Sequence, residues 1–165
     1  MEKILVSSCL LGKHVRYDGG HNLDLHRQGT ALLIQWQQQG RIVQVCPECL
    51  GGLPTPRPPA ERVGKRILTS DGSDVTSAFT LGANQTLRIA RREQIKVAIL
   101  KSRSPSCGNQ QIYDGRFSGT LIFGEGLTAH TLRAHGIKVF NELQLLDAAD
   151  FLESNFSTTR SQKTS

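Results

Sequence analysis

The stretch KILVSSCLLG, residues 3–12, establishes the first element of the fold. Its first half, Lys3–Ser7 (KILVS), is rich in β-branched side chains and close to continuously apolar, which is typical of a strand buried on both faces of a sheet. The strand runs directly into Ser8 and Cys9. It therefore places a thiol at its carboxyl end, which in a parallel α/β sheet is the edge where ligands bind.

Three further segments share this pattern and predict short strands: Arg41–Val45 (RIVQV), Lys96–Leu100 (KVAIL) and Lys138–Phe140 (KVF). Amphipathic helical patterns alternate with the strands, over Asn22–Gln39, Asp74–Gln94, Thr128–His135 and Glu142–Glu153. Asp74 is a candidate N-cap, and Gly136 suits the position after a helix C-terminus. This alternation predicts a single-domain, layered, Rossmann-like α/β fold, with a mostly parallel sheet and helices on both faces.

The segments between these elements have a composition of their own. Leu53–Pro59 (LPTPRPP) contains four of the six prolines, so it is expected to be extended and stiff. The glycine-rich segment Asn109–Gly126 predicts a hairpin or loop excursion from the sheet. We expect one α/β domain over residues 1–153, followed by a disordered, Ser/Thr-rich tail over residues 154–165.

The composition narrows the class of protein. A length of 165 residues, an apolar share of 38% and a mean hydropathy of −0.29 indicate a soluble globular domain. No apolar run approaches the ~20 residues that span a membrane, and the N-terminus does not read as a signal peptide. A cytoplasmic location is therefore predicted, where thiols stay reduced. This favours metal-binding or catalytic roles for the four cysteines over disulfide bridges.

The net charge of +6 is compatible with an anionic or nucleotide-like ligand. The basic residues are scattered, however, and aromatic residues make up only 5% of the chain. A stacking platform for single-stranded nucleic acid needs both kinds of residue together. We therefore expect a small-molecule ligand and no stable binding of nucleic acid or membrane. The sequence gives no signal of oligomeric state.

Three cysteines follow predicted strands: Cys9, Cys46 and Cys107. Because the carboxyl ends of parallel strands share one edge, these thiols are expected to converge on one point. Soft thiolates gathered on one point select zinc or an iron–sulfur cluster. Around Cys107, the segment Lys101–Gly108 (KSRSPSCG) supplies hydroxyls that can donate hydrogen bonds to sulfur and two cations that are expected to lower the thiol pKa.

The motif Cys46-Pro47-Glu48-Cys49 has several interpretations. A Cys-x-x-Cys pair fits half a zinc site, half a cluster site or a thioredoxin-like redox pair. Glu48 is close enough in sequence to Cys46 to act as a base on a metal-bound substrate, or it is a surface carboxylate at a helix N-terminus. Three alternatives stay open: a structural zinc module using all four cysteines, a non-enzymatic protein with a fully ligated cluster, and a thiol redox enzyme.

Long motifs in the same order resemble the thiouracil desulfidase family. They are CLLG (9–12), RYDGG (16–20), CPE (46–48), LGGLPTPRPPAE (50–61), DGSDVTSAF (71–79), AILKSRSPSCG (98–108), IYDGRFSGT (112–120) and GEG (124–126). The resemblance implies a 4Fe–4S cluster held by Cys9, Cys46 and Cys107, with no protein ligand on the fourth iron. Cys49 departs from the family pattern, which has an aliphatic residue there, and a fourth thiol could cap that iron.

The activity that the resemblance implies is a non-redox hydrolysis of a thiolated pyrimidine, from thiouracil and water to uracil and hydrosulfide. The open iron would bind the substrate sulfur as a Lewis acid, Glu48 would be the general base, and Ser104 would hydrogen-bond the substrate or pass on the proton. Whether the sulfur is at ring position 2 or 4, and whether the substrate is a base, nucleoside or nucleotide, stays open. Candidates for substrate contact are Tyr17, Asp18, Tyr113 and Ser118, with Arg16, Arg57 and Arg103 for any phosphate.

Overall fold

The computed structural model describes residues 1–156, and these form eight strands and five α-helices. In chain order they are β1 (Ile4–Ser7), α1 (Thr30–Gln38), β2 (Ile42–Val45), α2 (Pro47–Leu50), β3 (Ala60–Val63), β4 (Arg66–Thr69), α3 (Thr76–Arg92), β5 (Val97–Leu100), β6 (Gln111–Tyr113), β7 (Leu121–Phe123), α4 (Leu127–Ala134), β8 (Lys138–Asn141) and α5 (Leu145–Phe156).

The central sheet contains the four strands that the apolar runs predicted. Its order is β2–β1–β5–β8, and every neighbouring pair is parallel. Ile4, for example, pairs with Ile42 on one side and with Val97 on the other. The predicted parallel α/β fold is therefore confirmed. Because β1 and β5 are the two inner strands, the segments that follow them lie in the middle of the carboxyl edge.

The two faces of the sheet explain why the inner strands are buried at every position and almost entirely apolar. Ile4 and Val6 of β1 pack on one face with Leu33 of α1 and Leu145 of α5, whereas Leu5 packs on the other face in a cluster that includes α3 and α4 residues. Since successive side chains of a strand alternate between faces, a strand covered on both sides needs an unbroken apolar run. Helices on both faces, as predicted, follow from this pattern.

Two antiparallel hairpins accompany the sheet. The pair β6–β7 is the excursion that the glycine-rich segment predicted near residues 109–126. The pair β3–β4 was not predicted. Its antiparallel strands pair from Ala60 opposite Thr69 to Val63 opposite Arg66. Charged residues at Glu61, Arg62 and Arg66 interrupt the apolar pattern there, so no strand could be predicted from it.

Helix limits differ from the predictions where side chains or backbone groups form contacts with other parts of the chain. The helix predicted from Asn22 begins only at Thr30, because Gly29 has a φ of +88° and the N–H of Asn22 bonds the carbonyl of Cys9. Leu25, which lies within the predicted range, is 68% exposed. Asp74 lies just before α3 and accepts the N–H of Thr76, so it serves the helix start from one position outside the cap.

At the C-terminus, α5 extends to Phe156, beyond the predicted end of the domain at residue 153. The rest of the predicted tail, residues 157–165, lies outside the described residues. The domain limits therefore stay a prediction. Helix α4 ends at Ala134 and is followed two residues later by Gly136, with a φ of +83°, as its sequence predicted.

Two glycines allow α2 to approach α3 at backbone distance. A Cβ placed on Gly82 would lie 2.0 Å from the carbonyl oxygen of Pro47, and a Cβ on Gly51 would lie 2.0 Å from that of Ala78. Both distances are far below van der Waals contact, and the obstructing atoms are backbone. This close contact fixes α2, which begins directly after Cys46 and carries Glu48.

We expect Gly82→Ala to destabilise the protein by about 1–3 kcal/mol, because the added methyl group forces two backbones apart. An alanine would otherwise favour the helix by up to about 1 kcal/mol. The midpoint of thermal unfolding should fall by about 2–4 °C per kcal/mol for a chain of this length. Asn84→Ala, at an exposed position of the same helix, is the control and should leave the midpoint unchanged or slightly higher. Equal midpoints for both variants would show that α2 can move away without cost.

Candidate active site

Three adjacent strands of the sheet end beside one cavity. Cys9 lies in a 3-10 turn (Ser8–Leu11) directly after β1, Cys46 is the N-cap of α2 directly after β2, and Cys107 lies in the turn that follows β5. All three residues line a cavity of about 630 Å³. The strand pattern predicted this meeting of thiols. Their role as cluster ligands stays a prediction.

Burial dominates the acidity of these thiols. It raises the pKa of Cys46 to about 12, and the Cys49 thiol and the Glu48 carboxylate add to the rise. It also raises the pKa of Cys107, which is 5% exposed, although the Ser7 hydroxyl 3.7 Å from its Sγ acts in the opposite direction. The same desolvation raises the pKa of Cys9. Each thiol therefore needs a nearby cation to become a thiolate.

The expectation that local cations lower the pKa of Cys107 is wrong. Lys101 lines the cavity, but its Nζ lies 3.3 Å from Oε2 of the buried Glu142 and bonds the carbonyl oxygen of Ser102. Loss of hydration raises the pKa of Cys107 more than the hydrogen bond from Ser7 lowers it. Thiols with raised pKa values are poor nucleophiles, and a thioredoxin-like pair needs a lowered thiol pKa. The raised pKa of Cys46, the first thiol of the Cys-x-x-Cys pair, does not favour the thiol redox alternative.

Cys49 stands apart from the other three cysteines. It is half-buried, its Sγ lies 3.7 Å from Oγ1 of Thr55, and it is not among the described residues that line the cavity. Within residues 1–156, no group of three or more His, Cys, Asp or Glu side chains is arranged to hold a single metal ion. A structural zinc ion needs four ligands on one tetrahedron. This geometry does not match a zinc module built from all four cysteines.

The donor set fits an iron–sulfur cluster. Such a cluster is held by thiolates that bind different iron atoms, so its ligands need not crowd around one ion. Three desolvated thiols on one cavity wall provide these ligands, and the iron atoms would supply the positive charge that buried thiolates require. The Ser7 hydroxyl can donate to the Cys107 sulfur. Hydrogen bonds to sulfur ligands are a feature of cluster sites.

Glu48 lines the same cavity and is held in place by Arg57. Oε2 of Glu48 lies 2.8 Å from Nε and 2.5 Å from an Nη atom of Arg57, in an ion pair whose side chains are 17% and 6% exposed. Oε1 accepts no hydrogen bond from the described residues. Because every inaccessible side-chain N or O atom in that part of the chain has a partner, Oε1 must be accessible. Glu48 thus presents one free oxygen.

Arg57 is held by groups of its own chain. Its guanidinium has five N–H groups. Four of them donate hydrogen bonds: to Oε2 of Glu48, to the carbonyl oxygens of Pro54 and Val15, and to the hydroxyl of Thr55. Nη2 also lies 2.5 Å from Oε2 of Glu48 in the ion pair. The side chain therefore ties the proline-rich segment to α2 and to the loop after Cys9. Its contribution to the site is to orient Glu48.

Ser104 also lines the cavity, and its hydroxyl can act there only as a donor. Its Oγ accepts the N–H groups of Ser106, at 3.1 Å, and Cys107, at 3.0 Å. A hydroxyl has two lone pairs and one proton, so both acceptor positions are taken. The remaining O–H proton is available to a bound ligand. These bonds also shape the turn that presents the Cys107 thiol.

The four residues predicted to contact substrate divide into two pairs. Tyr17 and Tyr113 line the cavity. Asp18 and Ser118 are not among the described lining residues: both carboxylate oxygens of Asp18 bond Arg16, and Oγ of Ser118 lies 3.0 Å from Oγ1 of Thr120. We keep only the two tyrosines as candidates for substrate contact.

Sequence reasoning missed several residues of the cavity wall: Ser7, Glu61, Phe79 and Phe117. Phe117 lies within a motif of the family resemblance, and this was its one signal in the sequence. In the structure its φ of +54° marks a strained backbone that needs local support. Glu61 ends the motif LGGLPTPRPPAE but lies on β3, outside the segments that directly follow the parallel strands. Only the fold brings it to the same cavity.

The fold and the site define an α/β protein with a cysteine-lined cavity at the carboxyl edge of a parallel sheet. The chain belongs to the 2-thiouracil desulfurase family, which it matches over residues 4–144. The resemblance read from its motifs is therefore confirmed. A solved structure of the 4Fe–4S-dependent thiouracil desulfidase TudS is 47% identical, with a TM-score of 0.89, and covers 93% of this chain and 99% of its own.

A curated relative, the protein YbbK of Bacillus subtilis (strain 168), is 40% identical over 154 residues, which are 87% of this chain and 98% of the relative. Over residues 1–156, no helix has the length and apolar character needed to cross a membrane. The cytoplasmic location and the absence of nucleic-acid binding stay predictions.

Proposed function

We propose that this protein is a 4Fe–4S-dependent thiouracil desulfidase, which hydrolyses the C=S bond of a thiolated pyrimidine and releases uracil and hydrosulfide. The observation that carries the proposal is one cavity in which the Cys9, Cys46 and Cys107 thiols meet the Glu48 carboxylate. Membership of the 2-thiouracil desulfurase family supports the same reaction, as does the close structural similarity to TudS.

The three cysteines that line the cavity would hold the cluster. When bound, the cluster supplies an iron without a protein ligand, which is a Lewis acid with affinity for sulfur. Because Cys49 lies outside the described cavity wall, this chain offers three thiols and not four on that wall. A fully ligated electron carrier would need a fourth ligand, so the arrangement favours an enzyme.

Glu48 is the general base of the proposed reaction. Its free Oε1 takes a proton from a water molecule while the water oxygen adds to the thiocarbonyl carbon. Breakage of the C–S bond then leaves a C=O bond on the ring. Water supplies the oxygen and two protons, of which one leaves with the sulfur as hydrosulfide and the other passes from Glu48 to solvent. No electron is gained or lost overall.

Ser104 and the aromatic residues position the substrate. Because both lone pairs of the Ser104 hydroxyl are engaged, its O–H donates a hydrogen bond to an acceptor on the ring and does not take a proton. Tyr17 and Tyr113 offer aromatic surface to a planar ring. The cavity volume of about 630 Å³ is that of a small-molecule site.

The decisive experiment combines cofactor analysis with turnover. Protein purified or reconstituted without oxygen should contain about four iron and four sulfide ions per chain. It should convert 2-thiouracil or 4-thiouracil to uracil with release of stoichiometric sulfide, and no external reductant should be needed. A zinc-containing, colourless protein without turnover would overturn the proposal. A full cluster with no turnover on either compound would instead support an electron carrier.

A further inference from the structure

A second carboxylate lines the cavity, and the proposed desulfuration does not use it. Glu61 lies on β3 and is only 9% exposed. Its Oε1 accepts the N–H of Gly115 at 3.1 Å and the N–H of Phe117 at 3.2 Å. These bonds attach the loop between β6 and β7 to β3. They account for one of the two oxygens.

The other oxygen, Oε2, is accessible and belongs to a residue that lines the cavity. No described residue donates a hydrogen bond to it, and no Lys, Arg or His of the described chain forms an ion pair with Glu61. Since no side-chain N or O atom in residues 1–156 is both inaccessible and unpaired, Oε2 must face open space. Because the rest of the carboxylate is largely buried, this oxygen favours a donor, which water or a ligand in the cavity can bring.

The chemistry of the substrate identifies the donor. A uracil ring has N3–H between carbons 2 and 4, so this group neighbours the sulfur in both 2-thiouracil and 4-thiouracil. It is retained when N1 carries a substituent. The other polar groups described on the cavity wall include donors, such as the Ser104 hydroxyl, and Glu48, whose free oxygen serves water. Glu61 is the carboxylate that is left to accept a ring N–H.

We propose that Oε2 of Glu61 accepts a hydrogen bond from the N3–H of the thiolated pyrimidine, and that Glu61 thereby selects rings that have this group. The inference rests on the proposed function. It makes Glu61 a determinant of specificity, and it gives its two oxygens separate tasks, one toward the loop of Phe117 and one toward the substrate. Sites that bond a substrate N–H strongly reject analogues that lack it.

Glu61→Gln tests the second task while it keeps the first. The amide oxygen can still accept the N–H groups of Gly115 and Phe117, but the amide NH₂ replaces the free acceptor by a donor. We expect kcat/KM of the holoenzyme for 2-thiouracil to fall about 10- to 100-fold, mainly through KM, as for loss of a hydrogen bond to a charged group. Glu93→Gln, a carboxylate bonded to Lys3 and absent from the described cavity wall, is the matched control and should behave as the wild type.

Methylated substrates provide a test that does not depend on the variant. The wild-type enzyme should reject 3-methyl-2-thiouracil by about 100-fold or more relative to 1-methyl-2-thiouracil. In Glu61→Gln this ratio should fall to about 10 or less. Wild-type activity and discrimination in Glu61→Gln would show that Glu61 only holds the loop. Equal use of the two methylated compounds by the wild type would also overturn the inference.

Binding of the product separates this inference from the proposed function. Uracil has the same N3–H and no sulfur, so its affinity can be measured by calorimetry without any turnover. Wild-type holoprotein should bind uracil about 10- to 100-fold more tightly than Glu61→Gln. If thiouracil is not hydrolysed but this difference persists, the proposed function fails and the contact to Glu61 stands. If thiouracil is hydrolysed and the difference is absent, the contact to Glu61 fails alone.

Discussion

Cys107→Ala is expected to lose the cluster and the desulfuration activity together. Cys107 is the most deeply buried of the three cavity thiols, and desolvation is the main cause of its raised pKa. Without it only two thiols remain on the cavity wall. Turnover should fall about 1,000-fold or more, since a Lewis acid contributes several kcal/mol to such a reaction. Iron and sulfide content, visible absorption and hydrosulfide release measured on one preparation check this result.

Cys49→Ala is the matched control for this loss. It removes a thiol that is half-buried and contacts Thr55 instead of lining the described cavity wall. Both variants should unfold at similar temperatures without cofactor, since removal of one sulfur atom costs about 1 kcal/mol. Cys49→Ala should retain full iron content and turnover. If it lost the cluster while Cys107→Ala kept it, the assignment of the three ligands would be refuted.

The parallel sheet could be predicted because its signal is local. Each buried strand needs an apolar run, and runs such as Val97–Leu100 are buried at every residue. The hairpin of β3 and β4 has no such signal, since Glu61 and Arg62 lie within β3. Its polar residues are explained only by contacts distant in sequence, such as that of Glu61 with the loop of Phe117.

The candidate site, like the fold, could be predicted only in part from the sequence. The three thiols could be placed together because strand ends share an edge, a rule that needs no distances. The partner of Glu48 could not, because Arg57 reaches it from the proline-rich segment, where sequence alone suggested a free cation for phosphate. For a similar reason, sequence alone could not show that Tyr17 lines the cavity and that Asp18 is not among its described lining residues. Whether a polar side chain faces the cavity or its own turn depends on bonds such as that of Asp18 to the N–H of Gly20.

Glu48→Gln is expected to abolish most turnover and to leave the cluster in place. The amide keeps the shape of the side chain and can still accept from Arg57, but it cannot take a proton from water. General base catalysis contributes about 10²- to 10⁴-fold, so kcat should fall by that factor. Iron content and visible absorption should match the wild type, because Glu48 is not among the proposed ligands. Retained kcat would exclude Glu48 as the base, and a lost cluster would give it a structural role.

Arg57→Lys tests whether the orientation of this carboxylate matters in addition to its presence. Lysine keeps a positive charge near Glu48, but it cannot reproduce the hydrogen bond and the ion-pair contact to Oε2 together with the bonds to Val15 and Pro54. Glu48 can then turn, and a displacement of about 1 Å at a catalytic group costs about 10²-fold. We therefore expect kcat to fall by about 10- to 100-fold with little change in KM or iron content. A fall in kcat as large as that of Glu48→Gln would mean that the ion pair itself is required. A wild-type rate would mean that charge alone suffices to hold the base.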